Sequence, residues 1–241
     1  MDIQERILLA VEGLEKPADR PLVTLSYAQS LDGSITARKG VRSQISGPES
    51  AQITHHIRAN HDAILIGIGT LLADDPQLTV RLVEGKNPRP IILDSQLRTP
   101  LDSFLVRENP PWIATGRNAE KTKAGDLSAI GTKLIYLPTD EMGNIQLQAL
   151  MEVLYQEGIR HLMVEGGAEV LSSFIKTRLV DFVVLTISPL ILGGLPAVQL
   201  GDFPGYSIEN QGMLRLERIN TDFAGEDLVV FGRPIWTVGD N

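Results

Sequence analysis

The sequence predicts an α/β protein: a mostly parallel central sheet flanked by helices, ending in a C-terminal antiparallel hairpin. Three observations carry this. Apolar runs of strand length alternate with helix-like segments through most of the chain. Several of those runs end in glycine, as strands do when they feed a tight turn into a helix. The tail alternates apolar and polar residues in MLRLERI (213–219) and DLVVFGR (227–233), the period of paired antiparallel strands.

Taken in order, VTLSYAQS (23–30) is β-branched early and fits a strand. Gly47-Pro48 offers a helix start with Pro in the first turn, and ESAQITHHIRAN continues it to about residue 60. AILIGIG (63–69) is a short continuous apolar run closing on glycines. PIILDS (90–95), WIAT (112–115) and KLIYLP (133–138) follow as strands. Leu147, Leu150, Met151 and Leu154 keep the i, i+3, i+4, i+7 spacing of an amphipathic helix, with Gly158 placed to stop it. HLMVEGG (161–167) reads as a buried strand entering a tight turn, AEVLSSFIKTR as a helix and DFVVLTI (181–187) as a strand. The stretch GRNAEKTKAGD (116–126) is the one candidate linker. A single domain over 1–241 is expected, with its core in 22–235 and a helical extension over 1–20.

Composition narrows the function. The chain has no cysteine, which excludes disulfides, thiolate zinc sites, iron–sulfur clusters and cysteine nucleophiles together. Its net charge of −8 makes it a poor partner for nucleic acid, whose binding is dominated by phosphate neutralisation. A phosphorylated ligand must therefore be held by a few local cations or by backbone N–H groups. No apolar run approaches the roughly 20 residues of a membrane helix. Residues 1–20, mixed in charge, do not read as a signal or transit peptide, so a cytoplasmic protein is expected. His55, His56, His61 and His161 lack metal-ligand spacing, and no bound metal is expected.

Three turns where strands end stand out, after residues 67, 94 and 165, and two of them are glycine-rich motifs. In GIGTLLADDP (67–76) a strand feeds Gly67, Gly69 and Thr70, where backbone N–H groups can approach an anion. A Rossmann fingerprint would need a third glycine at position 72, which is Leu72. Asp74-Asp75-Pro76 also fits a helix terminator. In VEGGAE (164–169), Gly166 and Gly167 make a turn that a pyrophosphate fits, and Glu165 sits at a strand's carboxyl end, where ligands of α/β sheets bind. A plain glycine turn with a solvated Glu is the competing reading. Arg58 and Arg81 flank the first turn on both sides and are the candidate cations.

Together the segments YAQSLDG (27–33), GVRSQISGPES (40–50), IRANHDAILIGIGTLLADDPQLTVR (57–81), ILDS (92–95), LMVEGGAEVLSSF (162–174) and ISPLILGG (187–194) resemble the reductase domain of riboflavin biosynthesis, whose fold is similar to dihydrofolate reductase. The resemblance implies an NADPH-dependent homodimer that reduces the opened ribose of a phosphoribosylated pyrimidine to a ribityl chain. It implies substrate contacts for Ser43, Arg58, Leu78, Arg81 and Glu165, with the arginines at the phosphate end. It implies nucleotide contacts for Ala28, Ile45, Thr70, Asp74 and Ser95, and for the turn Gly166, Gly167, Ala168, Glu169 and Val170. Two-domain bacterial relatives carry Lys and Trp where this chain has Ser26 and Ile45. The YAQSLDG wording is nearer the stand-alone reductases that act before deamination, on 2,5-diamino-6-(ribosylamino)pyrimidinone 5′-phosphate. The deaminated uracil is the alternative substrate. The companion deaminase is a zinc enzyme with a P-C-x-x-C motif, which this chain does not contain.

The chemistry needs no covalent nucleophile. A ribosylamine opens to an imine at ribose C1, and the protonated form accepts hydride. A carboxylate near C1 favours that cation, and Asp74 and Glu165 are the candidate catalytic carboxylates. A nucleotide-binding regulator that keeps the fold without turnover is the reading from another class; the joint presence of two arginines and two carboxylates argues against it.

Overall fold

The computed structural model describes residues 1–41, 43–200 and 213–237. Arg42, within the GVRSQISGPES stretch, and 201–212, within the expected core range, lie outside the described residues.

Helix α1 (Ile3–Glu12) leads to strand β1 (Leu22–Ser30) and a short β2 (Ser34–Thr36). Helix α2 (Pro48–Ala59) starts at the anticipated Gly47-Pro48. The next two units are β3 (Ala63–Gly67) with α3 (Ile68–Asp74), and β4 (Arg89–Leu93) with α4 (Phe104–Glu108). After β5 (Trp112–Gly116), α5 (Lys121–Ala129), β6 (Lys133–Leu137) and α6 (Leu147–Gln156), the chain returns through β7 (His161–Gly166), α7 (Ala168–Lys176) and β8 (Phe182–Ser188). A two-residue β9 (Leu195–Pro196) pairs with β2, and β10 (Met213–Ala224) and β11 (Asp227–Thr237) form the closing hairpin.

Among the described residues, nine strands make one sheet in the order β10-β11-β8-β1-β7-β3-β4-β5-β6. From β8 to β6 every pairing is parallel; β11 joins β8 and β10 antiparallel. The parallel strands are buried on both faces, so they read as continuous apolar runs. Ile64 and Ile66 of β3 pack toward α1 to α5, whereas Ala63 and Leu65 pack toward α6 and α7. The alternation within one five-residue strand thus feeds two separate cores.

The expected N-terminal helix is α1, and it packs into the body of the protein: Ile7 and Val11 are buried in the same core as Ile53 and Ile57 of α2. One expectation changes. The candidate linker at 116–126 is instead the end of β5 and most of α5. Ala124 and Leu127 bury one side of that helix, but its charged and small residues hide the pattern.

The topology locates the site. Strands β3 and β7 are neighbours, yet the chain leaves β3 toward β4 and leaves β7 toward β8, on opposite sides. Such a switch point opens a crevice at the carboxyl ends of the strands. Both glycine turns lie there.

Candidate active site

Glu165 reaches the crevice through a break in the ladder. Leu65 pairs with Val164 and Ile66 with Gly166, so Glu165 is the extra residue of a bulge, a device that re-aims a side chain. Gly166 follows at φ +99° and Gly167 at φ +75°, a backbone that favours glycine. A Cβ at Gly167 would lie 2.9 Å from the Thr70 hydroxyl, and one at Gly67 would lie 2.7 Å from Val170 Cγ2. The two turns are therefore interlocked, and Thr70 Oγ1 donates to the Gly166 carbonyl at 3.2 Å.

Arg58 extends from α2 and forks onto Glu165. Nε donates to Oε1 at 2.5 Å and Nη2 to Oε2 at 2.6 Å, while Nη1 donates to the Thr79 carbonyl at 3.1 Å. Their side chains are only 11% and 15% exposed. The pair is thus a nearly neutral unit, and burial of either charge alone would be costly. Helix α2 is pinned at both ends. At its start Asp227, from the turn of the closing hairpin, accepts from Gly47 N at 2.7 Å and Ser50 Oγ at 2.5 Å. Beyond its end, His61 donates from Nδ1 to the Ile57 carbonyl at 2.7 Å, and its Nε2 meets Thr24 Oγ1 of β1 at 2.8 Å.

Two clefts open on this region. The larger, about 430 Å³, is walled by the glycine turns and by Ser95, and includes Thr70 and Gly167 to Val170. The smaller, about 310 Å³, is walled by Ser26, Tyr27, Ala28, Ile45, Thr54 and Thr186. Four residues line both: Ile35, Ser43, Asp74 and Glu165. The two candidate carboxylates therefore stand where the clefts meet. Burial pushes the Tyr27 phenol up to about 12, so it stays protonated.

Of the expected substrate contacts, Ser43 and Glu165 line both clefts, whereas Arg58, Leu78 and Arg81 line neither. Ser43 Oγ sits 3.0 Å from Thr36 Oγ1. The Arg81 side chain is exposed, with Nη1 on Thr79 Oγ1 at 2.7 Å, and its backbone N donates to His55 Nδ1 at 2.9 Å. Burial, reinforced by Arg58 and Arg81, lowers His55 to about 4 and keeps it neutral. The Leu78 side chain is 1% exposed and packs in the core, so only its backbone, at φ +53°, is available to a ligand. Glu169 lines the larger cleft but is turned outward to Lys39, 2.8 Å away.

Residues 21–230 match the model of the RibD C-terminal domain. The chain belongs to the RibD C-terminal domain family. A 2,5-diamino-6-ribosylamino-4(3H)-pyrimidinone 5′-phosphate reductase of Methanothermobacter thermautotrophicus is 37% identical, over 88% of this chain and 97% of that protein. The riboflavin biosynthesis protein RibD of Aquifex aeolicus is 37% identical over 88% of this chain, but the chain spans only 58% of it. Among solved structures, Acinetobacter baumannii RibD superposes with a TM-score of 0.76 at 25% identity, over 90% of this chain and 59% of that one. The Saccharomyces cerevisiae reductase Rib7 superposes at 0.73 and 27% identity, over 96% and 98%. The dihydrofolate-reductase-like α/β fold expected from the sequence is the fold of this RibD C-terminal domain.

Sequence reasoning passed over several residues that this RibD C-terminal domain brings to its clefts. Tyr27 lies inside the matched YAQSLDG stretch without an assigned role, and Thr186 comes from a strand read only as core. Arg98 lines the larger cleft; its signal was its place three residues after Ser95. Asp32 of the same YAQSLDG stretch accepts from Leu192 N at 2.9 Å, Gly193 N at 2.8 Å, Ser30 Oγ at 2.6 Å and Ser34 Oγ at 2.8 Å. These four donors hold its carboxyl well below the usual carboxylate range. One side chain thereby joins two motifs that lie far apart in the chain, YAQSLDG and ISPLILGG.

Proposed function

We propose that this protein is a cytoplasmic, NADPH-dependent reductase of riboflavin biosynthesis that converts the ribosyl group of 2,5-diamino-6-(ribosylamino)pyrimidinone 5′-phosphate to the ribityl form. The observation that carries the reading is the meeting of two clefts at Asp74 and Glu165, one of them walled by interlocked glycine turns. The substrate assignment draws support from stand-alone relatives of that name, of which this chain spans almost the full length.

The larger cleft fits a dinucleotide. A Cβ at Gly167 would crowd the Thr70 hydroxyl beside the turn on which a pyrophosphate would lie, and α7 begins there with no side-chain cap on its first backbone N–H groups. Thr70, Ser95 and the turn Gly166 to Val170 would hold the nucleotide, with Ala28 and Ile45 meeting its nicotinamide end. When bound, NADPH supplies the hydride. The protein supplies position and field. Asp74 places negative charge where ribose C1 would lie and favours the protonated, electrophilic imine there. Glu165 has both oxygens on Arg58, so it orients more than it charges. Arg81, exposed and sharing Thr79 with Arg58, would take the terminal phosphate with a charge-assisted fork. The homodimer belongs to the same reading. Strand β10 ends the sheet with Ile219 and Phe223 exposed; an active monomer in light scattering would contradict it.

The direct test is the loss of reduced-nicotinamide absorbance with the diamino and with the deaminated substrate. Faster turnover of the diamino compound is expected. Turnover of neither sinks the assignment.

A further inference from the structure

We propose that His55 is a positioning residue for the reduction: it holds segment 78–81 against α2 and so aims Arg81 at the substrate phosphate. The inference rests on the proposed function and adds to it a residue set back from both clefts.

Segment 78–81 lies between α3 and β4 and belongs to no strand. The polar groups of such a backbone must find partners outside a ladder. Side chains supply them. Arg58 Nη1 donates to the Thr79 carbonyl at 3.1 Å, Val80 N donates to Asn87 Oδ1 at 2.7 Å, and Arg81 N donates to His55 Nδ1 at 2.9 Å. The buried Leu78 side chain fixes the start of the segment. Two of these partners come from one helix: His55 and Arg58 stand three residues apart on α2 and share a face. The loop that follows also closes on α2. A Cβ at Gly85, φ +154°, would collide with Ala59 Cβ.

This arrangement ties Arg81 to the junction of the clefts. The Arg58 guanidinium bonds both oxygens of Glu165 on one side and Thr79 on the other. Thr79 Oγ1 in turn accepts from Arg81 Nη1 at 2.7 Å. The direction in which Arg81 leaves the backbone is set at its own N–H, which His55 holds. The ring is 5% exposed, and acceptance at Nδ1 places its proton on Nε2. The role requires a neutral ring, because a protonated one would set N–H against N–H. Burial, with Arg58 and Arg81 nearby and Glu165 opposing them, keeps it neutral. A phosphate dianion arriving at Arg81 then finds a guanidinium already oriented, which lowers the ordering cost of binding.

The experiment is steady-state kinetics of His55→Leu and His55→Asn, in the wild-type and Arg81→Ala backgrounds, with the phosphorylated pyrimidine and with its dephosphorylated form. Leu fills the space without an acceptor, whereas the Asn amide oxygen can replace Nδ1. His55→Leu should raise the KM of the phosphorylated substrate about tenfold, with kcat and the NADPH KM near wild type. His55→Asn should recover most of that loss. The dephosphorylated substrate should not distinguish the variants, and in Arg81→Ala the loss of His55 should cost nothing further. Equal losses on both substrates, or an Asn variant as impaired as the Leu variant, overturn the assignment and leave the reductase reading intact. If His55→Leu does not fold, nitrogen-15 NMR of the wild-type protein decides. The Arg81 amide and His55 Nδ1 signals should shift with the phosphorylated compound and stay in place with the other; the same response to both overturns the role. A wild-type protein that reduces neither pyrimidine overturns function and role together.

Discussion

At the scale of single residues, the junction holds two carboxylates, Asp74 and Glu165. Glu165 is committed to Arg58 through both oxygens, so removing its charge would strand a buried guanidinium and disturb the fold as well as the chemistry. Asp74, the last residue of α3, offers the cleaner experiment. Asn has nearly the same shape and can still accept a hydrogen bond, so Asp74→Asn removes mainly the negative charge. Loss of one well-aimed charge in a closed site is commonly worth about 2.7–4 kcal/mol, and water in an open cleft reduces that. The variant should therefore show a kcat tens to hundreds of times lower, with a KM for NADPH close to wild type. A rise in that KM with kcat unchanged would mean that Asp74 holds the nucleotide and assists nothing.

At the scale of elements, α2 controls the geometry because it carries Arg58. Its own cap residue is Gly47, which has no side chain to bond the first-turn N–H groups. Asp227, from the hairpin turn nearly two hundred residues away, instead accepts from the Gly47 N–H and the Ser50 hydroxyl, and its negative charge also suits the positive end of the helix. Asp227→Ala should lower stability by about 1–2 kcal/mol in denaturant titrations, as losing charge-assisted hydrogen bonds does. It should also cost activity, since the start of α2 loses its anchor. A stability within a few tenths of wild type would show that solvent caps α2 equally well. The elements also explain what was legible. The long apolar strands, α2, α6 and α7 could be read because each has a clear period or a glycine or proline boundary. Strands β2 and β9 have three and two residues, too few for any period. Helix α4 has five and α5 has a weak apolar stripe, so one was missed and the other read as a linker.

For the whole molecule, folding is tied to pH through a histidine in the core. Burial lowers His61 to about 4, against about 6.5 for an unfolded histidine. Above pH 6.5 it is neutral in both states and its contribution to stability is fully present. Between pH 6.5 and 4 the unfolded chain binds a proton that the folded one refuses, so stability falls by about 1.4 kcal/mol per pH unit. His61→Gln should reduce that slope, leaving the part that His55, lowered to a similar value, contributes; an unchanged slope would point to other groups. The site is also a whole-molecule property. Its glycine turns were visible locally, and so were Glu165 and the two arginines. The pairing of Arg58 with Glu165 was not, because it joins residues 107 positions apart. Nor was the small cleft, whose walls come from β1, β8, α2 and the segment before α2.

The Asp32 carboxylate bears on how ligands enter. It fastens the turn after β1 to the segment after β8, and so holds the β2–β9 ladder whose Ile35, Thr36 and Leu195 wall the larger cleft. Two loops sharing one anchor cannot breathe separately. The wall should open as a single leaf, with the amides of Ser34, Leu192 and Gly193 exchanging hydrogen at one common rate. In Asp32→Asn that rate should rise for all three together, while amides in β3 and β7 keep their protection. Access to the nucleotide cleft then becomes a matter of one latch, set by a residue that touches neither ligand.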